Sequence, residues 1–519
     1  MSTSPTLRSE IRGDGSAVAV IVPSKPTPLS VTYDGLEKEC LSFQRKLADL
    51  GIGHAAAVSI ATVNSYEFIV SFLATSWQRA IAAPLNPAYK QDEFEFYIDD
   101  LKSAIVLVPQ GAYEADAAVV RAAKKYSAAI AECYWDDEKE EVVLDVKDLG
   151  QLKGKAQEQV LEAQADDIAL VLHTSGTTGR PKAVPLTHRN LTQTMENIRG
   201  TYQLTAEDRT MLVMPLFHVH GLLCGLLAPL HTGGSVVVPA KFSASEFWAD
   251  FIEHKANWYT AVPTIHQILL KSSIPDPLPQ LRFIRSCSSP LSPAVFEKLE
   301  ATFHAPVLEA YAMTEASHQM TSNPLPPAQR KPGTVGVGQG VEVTVLNETG
   351  EAVPQGSEGE ICIRGTNVTK GYLNNPDANA SSFHASGFFR TGDQGRLDED
   401  GYVQITGRIK ELINKGGEKI SPIELDNVLT RHPAIAEAVS FAIPDEMLGQ
   451  DIGVAVVLKS DEKLDQDGLR AWMTEKVAKF KIPKKVYFTD IMPKTATGKI
   501  QRRIVADTMQ KQDASKSSL

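Results

Sequence analysis

Ile168-Ala169-Leu170-Val171-Leu172-His173-Thr174-Ser175-Gly176-Thr177-Thr178-Gly179-Arg180-Pro181-Lys182 passes from an apolar run into a loop of hydroxyls and glycines that ends on a cation. The apolar run predicts a buried strand, and the loop after it has the chemistry of an anion cradle. Glycine lets the backbone turn sharply and approach a ligand, so successive N–H groups can converge on phosphate oxygens. Thr174, Ser175, Thr177 and Thr178 add hydroxyls around Gly176 and Gly179, and Lys182 adds a charge. The Walker pattern Gly-x-x-x-x-Gly-Lys-Ser/Thr cannot be aligned on the segment.

On both sides of this loop strand and helix signals alternate, which predicts parallel sheets covered by helices. Upstream lie a helix over 36–50 closed by Gly51, a strand over 55–61, a helix through 66–80 and a strand over 103–109. Downstream, strands are expected at 211–214, 235–238, 258–262, 281–286 and 307–311, with helices over 221–231 and from Thr264 and Pro293. From about Gly340 short strands and turns, 341–346 and 359–364 among them, predict a small β-barrel-like subdomain. After Gly407-Arg408 comes an α+β pattern: a hairpin over 410–420, a helix over 422–431, strands at 435–442 and 453–458, and a helix through 472–477. The fold class is therefore α/β. A large N-terminal domain, 1–408, carries two helix-covered sheets and the barrel-like subdomain, and a small α+β domain occupies 409–519.

With 52 basic and 63 acidic side chains among 519 residues, the net charge is −11. That balance gives no global attraction to nucleic acid or to an anionic membrane, so an anionic ligand must be drawn by local loops, helix ends and metal. Cys40, Cys133, Cys224, Cys287 and Cys362 are scattered without zinc-type spacing and are expected as buried free thiols in a reducing compartment. No run approaches the ~20 apolar residues that span a bilayer. The expectation is a cytoplasmic monomer or homodimer. The terminal Ser517-Ser518-Leu519 reads either as a degenerate peroxisomal address or as a frayed polar tail.

Further motifs follow the loop: Pro215-Leu216-Phe217-His218, Tyr311-Ala312-Met313-Thr314-Glu315, Arg390-Thr391-Gly392-Asp393, Gly407-Arg408 and Pro493-Lys494-Thr495-Ala496-Thr497-Gly498-Lys499. In this order they resemble the adenylate-forming superfamily, which includes acyl-CoA synthetases, firefly-type luciferases and peptide-synthetase adenylation domains. The resemblance covers nearly the whole chain. It implies that a carboxylate attacks the α-phosphorus of ATP and that a thiol, here coenzyme A, then takes the acyl group. Both first reactants are anions, and two unit charges at ~4 Å repel by about 4 kcal/mol at an effective dielectric of 20. By the same resemblance Thr174 to Gly179 and Lys182 hold phosphates, Glu315 ligates Mg²⁺, and Thr314 hydrogen-bonds the α-phosphate. Tyr311 stacks on adenine, Asp393 accepts from the ribose hydroxyls, and Arg408 adds a cation nearby. Lys499 is the principal catalytic cation, carried by a domain that swings about Lys410. Gly416 and Gly417 line the path of the CoA arm. Lys481, Lys484 and Lys485 either meet the CoA phosphates or form a solvated face. His218 gates the acyl tunnel or touches the substrate carboxylate.

The identity of the acid is read from departures. Ser286-Cys287-Ser288-Ser289-Pro290-Leu291 stands where relatives commonly show Ser-Gly-Ala-Ala-Pro-Leu, and His220 and His318 replace aromatic or apolar residues. Unsatisfied buried polar groups cost ~1–3 kcal/mol each against an alkyl tail. They suit a small acid with a second anionic group, which needs donors to replace lost hydration. With the run from Glu309 to Met320, the pattern resembles the oxalate–CoA ligases of plants and fungi within this family. That implies oxalate as substrate, its distal carboxylate held by His220, Ser288, Ser289 and His318. A ligase for coumarate-like or medium-chain acids and a luciferase-like oxygenase share the ATP motifs and differ at the pocket. The extra histidines could instead bond to backbone outside it.

Overall fold

In the computed structural model, residues 4–23, 28–174, 180–494 and 500–517 are described. Ser175, Gly176, Thr177, Thr178, Gly179, Lys499, Ser518 and Leu519 lie outside them. Two large sheets dominate the N-terminal body. One has seven strands in the order Glu141–Asp148, Ala129–Asp136, Ile105–Val108, Ala57–Ile60, Ile81–Pro84, Ile168–Thr174, Lys182–Thr187. Its inner pairs are parallel and only its outermost pairs antiparallel. The other has nine strands, with Val18–Val22, Ser235–Val237, Arg209–Leu212, Trp258–Ala261, Phe283–Ser286 and Val307–Met313 parallel in its middle. The apolar side chains of Ile105–Val108 and Ala57–Ile60 are buried on both faces, as parallel strands under helices require. The helix Tyr66–Trp77 is buried at every position except Glu67 and joins the shared core. Such all-round apolarity marks an interior helix.

Two local expectations change. The subdomain after Gly340 is an open four-stranded antiparallel meander, Glu342–Leu346, Gly359–Arg364, Phe389–Leu397 and Val403–Arg408, and not a barrel. Its first and last strands pair only inward, because four short strands are too few to curl round and meet. The helix expected over 221–231 is π-helical over His220–Leu227 and α-helical only over Ala228–His231.

After the 3₁₀ turn Ile409–Glu411 the chain builds a separate sheet from Ile413–Lys415, Glu418–Ile420, Ile435–Asp445, Gly449–Leu458 and Lys485–Phe488. It has its own core around Ile413, Leu425, Ile452 and Leu469. Helices Pro422–Leu429, Gln466–Thr474 and Arg502–Ser517 cover it. The middle helix starts earlier than its apolar spacing suggests because Asp465 caps it, accepting the Gly468 N–H.

Candidate active site

A cleft of 2420 Å³ lies where the two domains face each other. From the body it is lined by Thr174, Lys182, His218, Ser288, Ser289, Tyr311, Thr314, Glu315, His318, Asp393 and Arg408. From the small domain come Ile500 to Ile504, which follow Lys499 in sequence. Thr174, His218, Ser288, Ser289, Tyr311, Thr314 and Glu315 sit at or just beyond the C-terminal ends of parallel strands, where open α/β sheets place ligands, while Asp393 and Arg408 come from the antiparallel meander.

At the nucleotide end, Thr174 and Lys182 are register partners on antiparallel strands, and both line the cleft. Glu315 is buried in the short 3₁₀ turn Thr314–Ala316. Its Oε1 accepts from Tyr372 Oη at 2.8 Å and Thr174 Oγ1 at 3.5 Å. Burial pushes the Glu315 carboxyl above its ordinary range, against hydrogen bonds and the pull of Lys182 and Arg408. Lys182 Nζ lies 4.5 Å over the Tyr372 ring, which is pinned to the same carboxylate. A buried carboxylate whose side-chain partners are hydroxyls is a hard oxygen donor suited to Mg²⁺.

Beside it, Tyr311 donates its hydroxyl to Asp393 Oδ2, and Arg408 Nε reaches Asp393 Oδ1 at 3.1 Å. Burial and the Asp393 charge push the Tyr311 phenol well up, so it stays a neutral donor. Asp393 and Arg408 are register partners on adjacent strands, which fixes their spacing.

The acid end is more densely polar. His218 Nδ1 accepts the His220 backbone N–H at 3.2 Å, so the neutral tautomer of His218 carries its proton on Nε2. Ser288 has φ 71°, Ser317 φ 52° and His318 φ 108°. Non-glycine residues are rare in that region and persist where surroundings over-determine them. The His318 ring is fully buried, lines the cleft and has no hydrogen-bond partner for either nitrogen among the described residues. It stacks on His220 with centroids 5.2 Å apart. Burial, then the nearby Arg285 charge, hold both imidazoles well below their ordinary range.

Sequence reasoning grouped His220 with the lining residues. It stands behind them instead, absent from the cleft wall, with Nδ1 3.1 Å from Ser288 Oγ and Nε2 2.6 Å from Thr260 Oγ1. Gly416 and Gly417 have φ 59° and 97°, values that favour glycine, but their exposed hairpin tip is not part of the cleft wall. Lys481 and Lys484 each meet a carboxylate at 2.7 Å, Glu424 and Asp445, and Lys485 pairs with Asp513, so the basic cluster is locally neutralised. All five cysteines are free and buried. Among the described residues no helix is long and apolar enough to cross a membrane.

Tyr372, Thr260, Glu309 and Arg285 were not singled out from sequence. Glu309, which lines the cleft, is the third residue of the strand Val307–Met313 that leads into Thr314-Glu315, and a carboxylate in an apolar strand was the available signal.

A model of the AMP-binding enzyme family matches residues 8–373, and one of the AMP-binding enzyme C-terminal domain matches 424–499. The chain is 48% identical to an oxalate–CoA ligase of Saccharomyces cerevisiae over 97% of its length and 96% of the relative's. It is 50% identical to an oxalate–CoA ligase of Arabidopsis thaliana, over 89% and 90% of the two chains. ATP-bound MatB from Rhodopseudomonas palustris superposes with a TM-score of 0.87 at 29% identity, covering 97% of this chain and 98% of the other. The o-succinylbenzoate CoA synthetase of Bacillus subtilis, in complex with ATP and magnesium ion, gives 0.82 at 27% identity, covering 97% and 100%.

Proposed function

Because the chain belongs to the AMP-binding enzyme family, we propose that it joins oxalate to coenzyme A, cleaving ATP to AMP and pyrophosphate through an oxalyl-adenylate. The observation that carries the choice of acid is the polar pocket beside the nucleotide site. His318 offers two buried ring nitrogens that have no partner among the described residues, and Ser288 and Ser289 offer hydroxyls. An alkyl or aromatic acid would leave the buried His318 N–H without an acceptor, whereas a second carboxylate accepts from it and from the serine hydroxyls. The identities of 48% and 50% to oxalate–CoA ligases support the same reading.

In the first half-reaction a carboxylate oxygen of oxalate attacks the α-phosphorus and pyrophosphate leaves. Asp393 accepts from the ribose hydroxyls, Tyr311 packs on the adenine, and Thr314 donates to the α-phosphate. Lys182 and the loop from Thr174 to Gly179 hold the phosphates. Glu315 would hold Mg²⁺, which would supply neutralising charge beside the phosphates. Lys499 comes from the small domain to stabilise the pentacovalent phosphorus and the attacking carboxylate together. In the second half-reaction the 409–519 domain turns about Lys410, bringing Gly416 and Gly417 to the CoA arm. The thiol then displaces AMP.

The test is thioester formation with ATP, Mg²⁺ and CoA against oxalate, malonate, coumarate and octanoate, read by mass. Oxalyl-CoA as the main product supports the assignment, and a coumaroyl or octanoyl thioester in its place refutes it. The buried free thiols suit a reducing compartment. Imaging the chain with and without Ser517-Ser518-Leu519 in cells with marked peroxisomes decides whether that tail is an address.

A further inference from the structure

Behind the acid pocket the strand Phe283–Ser286 places Arg285 in the middle of the nine-stranded sheet, fully buried. Its partners are Tyr202 Oη at 2.6 Å from Nε, Thr260 Oγ1 at 3.2 Å from Nη1 and Gln319 Oε1 at 3.2 Å from Nη2. Among the described residues none of its partners is a carboxylate. A buried guanidinium without a counter-ion is costly, and its permanent charge cannot be discharged by losing a proton.

Arginine can only donate, and that sets the direction of what lies next to it. Thr260 Oγ1 accepts from Arg285, and His220 Nε2 lies 2.6 Å from that hydroxyl and 3.5 Å from Arg285 Nη1. Two donors facing one ring nitrogen leave it as the lone-pair site, so the His220 proton sits on Nδ1. Nδ1–H then donates to Ser288 Oγ at 3.1 Å, and the Ser288 hydroxyl proton is left to point into the cleft it lines. His318, stacked on His220, adds its own N–H at the same wall.

We infer that Arg285 is a positioning residue for acid choice. Through Thr260 and His220 it orients Ser288 as an obligate donor, and its buried charge is answered by the second carboxylate of the substrate. This rests on the reading of oxalate as that substrate. A carboxylate is favoured over any neutral group of equal size, because only an anion both accepts from Ser288 and His318 and offsets the guanidinium.

Oxalate is compared with oxamate, which has an amide in place of one carboxylate. The wild-type enzyme should prefer oxalate by roughly a hundredfold or more in kcat/KM. Arg285→Met and Arg285→Gln should reduce that ratio about tenfold or more, with the ATP KM little moved, while Arg285→Lys keeps most of it. Equal losses on both acids in the neutral variants would mean a purely structural role and overturn the inference. An unchanged ratio would overturn it too. If the wild-type enzyme activates neither acid, the oxalate reading itself falls and takes the inference with it. Should the neutral variants fail to fold, ¹⁵N spectra of histidine-labelled wild-type protein decide: a protonated Nδ1 at His220 supports the relay, and a protonated Nε2 refutes it.

Discussion

Ser289 faces the cleft with its hydroxyl 2.8 Å from the Ser288 carbonyl, a bond it can exchange for a substrate oxygen. Ser289→Ala should raise the oxalate KM about tenfold, the worth of one hydrogen bond to a charged group, and leave the ATP KM within about twofold. Steady-state kinetics with each substrate varied check this. Glu309 makes a separate prediction about pH. Burial raises its carboxyl from 4.5 to about 7, and only the Gly333 N–H at 3.0 Å works against that. Because the folded value exceeds the unfolded one, the favourable contribution is full below pH 4.5 and is lost as pH rises through about 7. Glu309→Gln, which cannot ionise, should therefore match wild type near pH 5. By pH 8 it should be the more stable form, by at most about 3 kcal/mol. Thermal unfolding at the two pH values reads the difference, and a variant less stable at pH 8 would contradict it. The serines and His318 were legible because they depart from a motif otherwise kept. Arg285 was not, since an arginine within Phe283-Ile284-Arg285-Ser286 reads as an ordinary strand position until the sheet on both sides is seen to bury it.

Among the elements, the segment His220–Leu227 ties local backbone to chemistry. A π-helical turn carries one residue more than an α-helical one and occurs most often at functional sites. Here it begins at His220, directly after the backbone bond that orients His218. Gly221 allows it, because a Cβ there would stand 2.2 Å from the Pro215 carbonyl oxygen. Gly221→Ala should destabilise the protein by about 1–3 kcal/mol, as overpacking does, and weaken oxalate use by displacing the two histidines. Melting temperature and the oxalate KM test the two halves of that expectation. The helix was legible from its apolar run, but its pitch was not, since all eight residues of His220–Leu227 are buried and leave no exposed face to report the residues per turn. Closure of the sheet after Gly340 was likewise beyond the sequence: strand and turn signals mark strands, while strand number and curvature decide whether edges meet.

Across the whole molecule, the cleft joins two bodies with separate cores and one short connection, Ile409–Glu411. Arg502, in the last helix, reaches Glu411 at 3.2 Å and Asp426 at 2.8 Å, so the connection is tied to the segment that follows Lys499. Stiffening it with Lys410→Pro should spare adenylate formation and slow the thioester step by tenfold or more, roughly, if the small domain must turn between the two. Single-turnover measurements of each half-reaction separate these effects, and equal loss in both would argue against rotation. The most direct measurement is ATP–pyrophosphate exchange without CoA, with oxalate, coumarate or octanoate as the acid. Exchange should depend on oxalate and collapse in Lys499→Ala and Asp393→Ala. Exchange supported equally by coumarate or octanoate, or undiminished in those two variants, would contradict a cleft built to join a nucleotide to a short dianion.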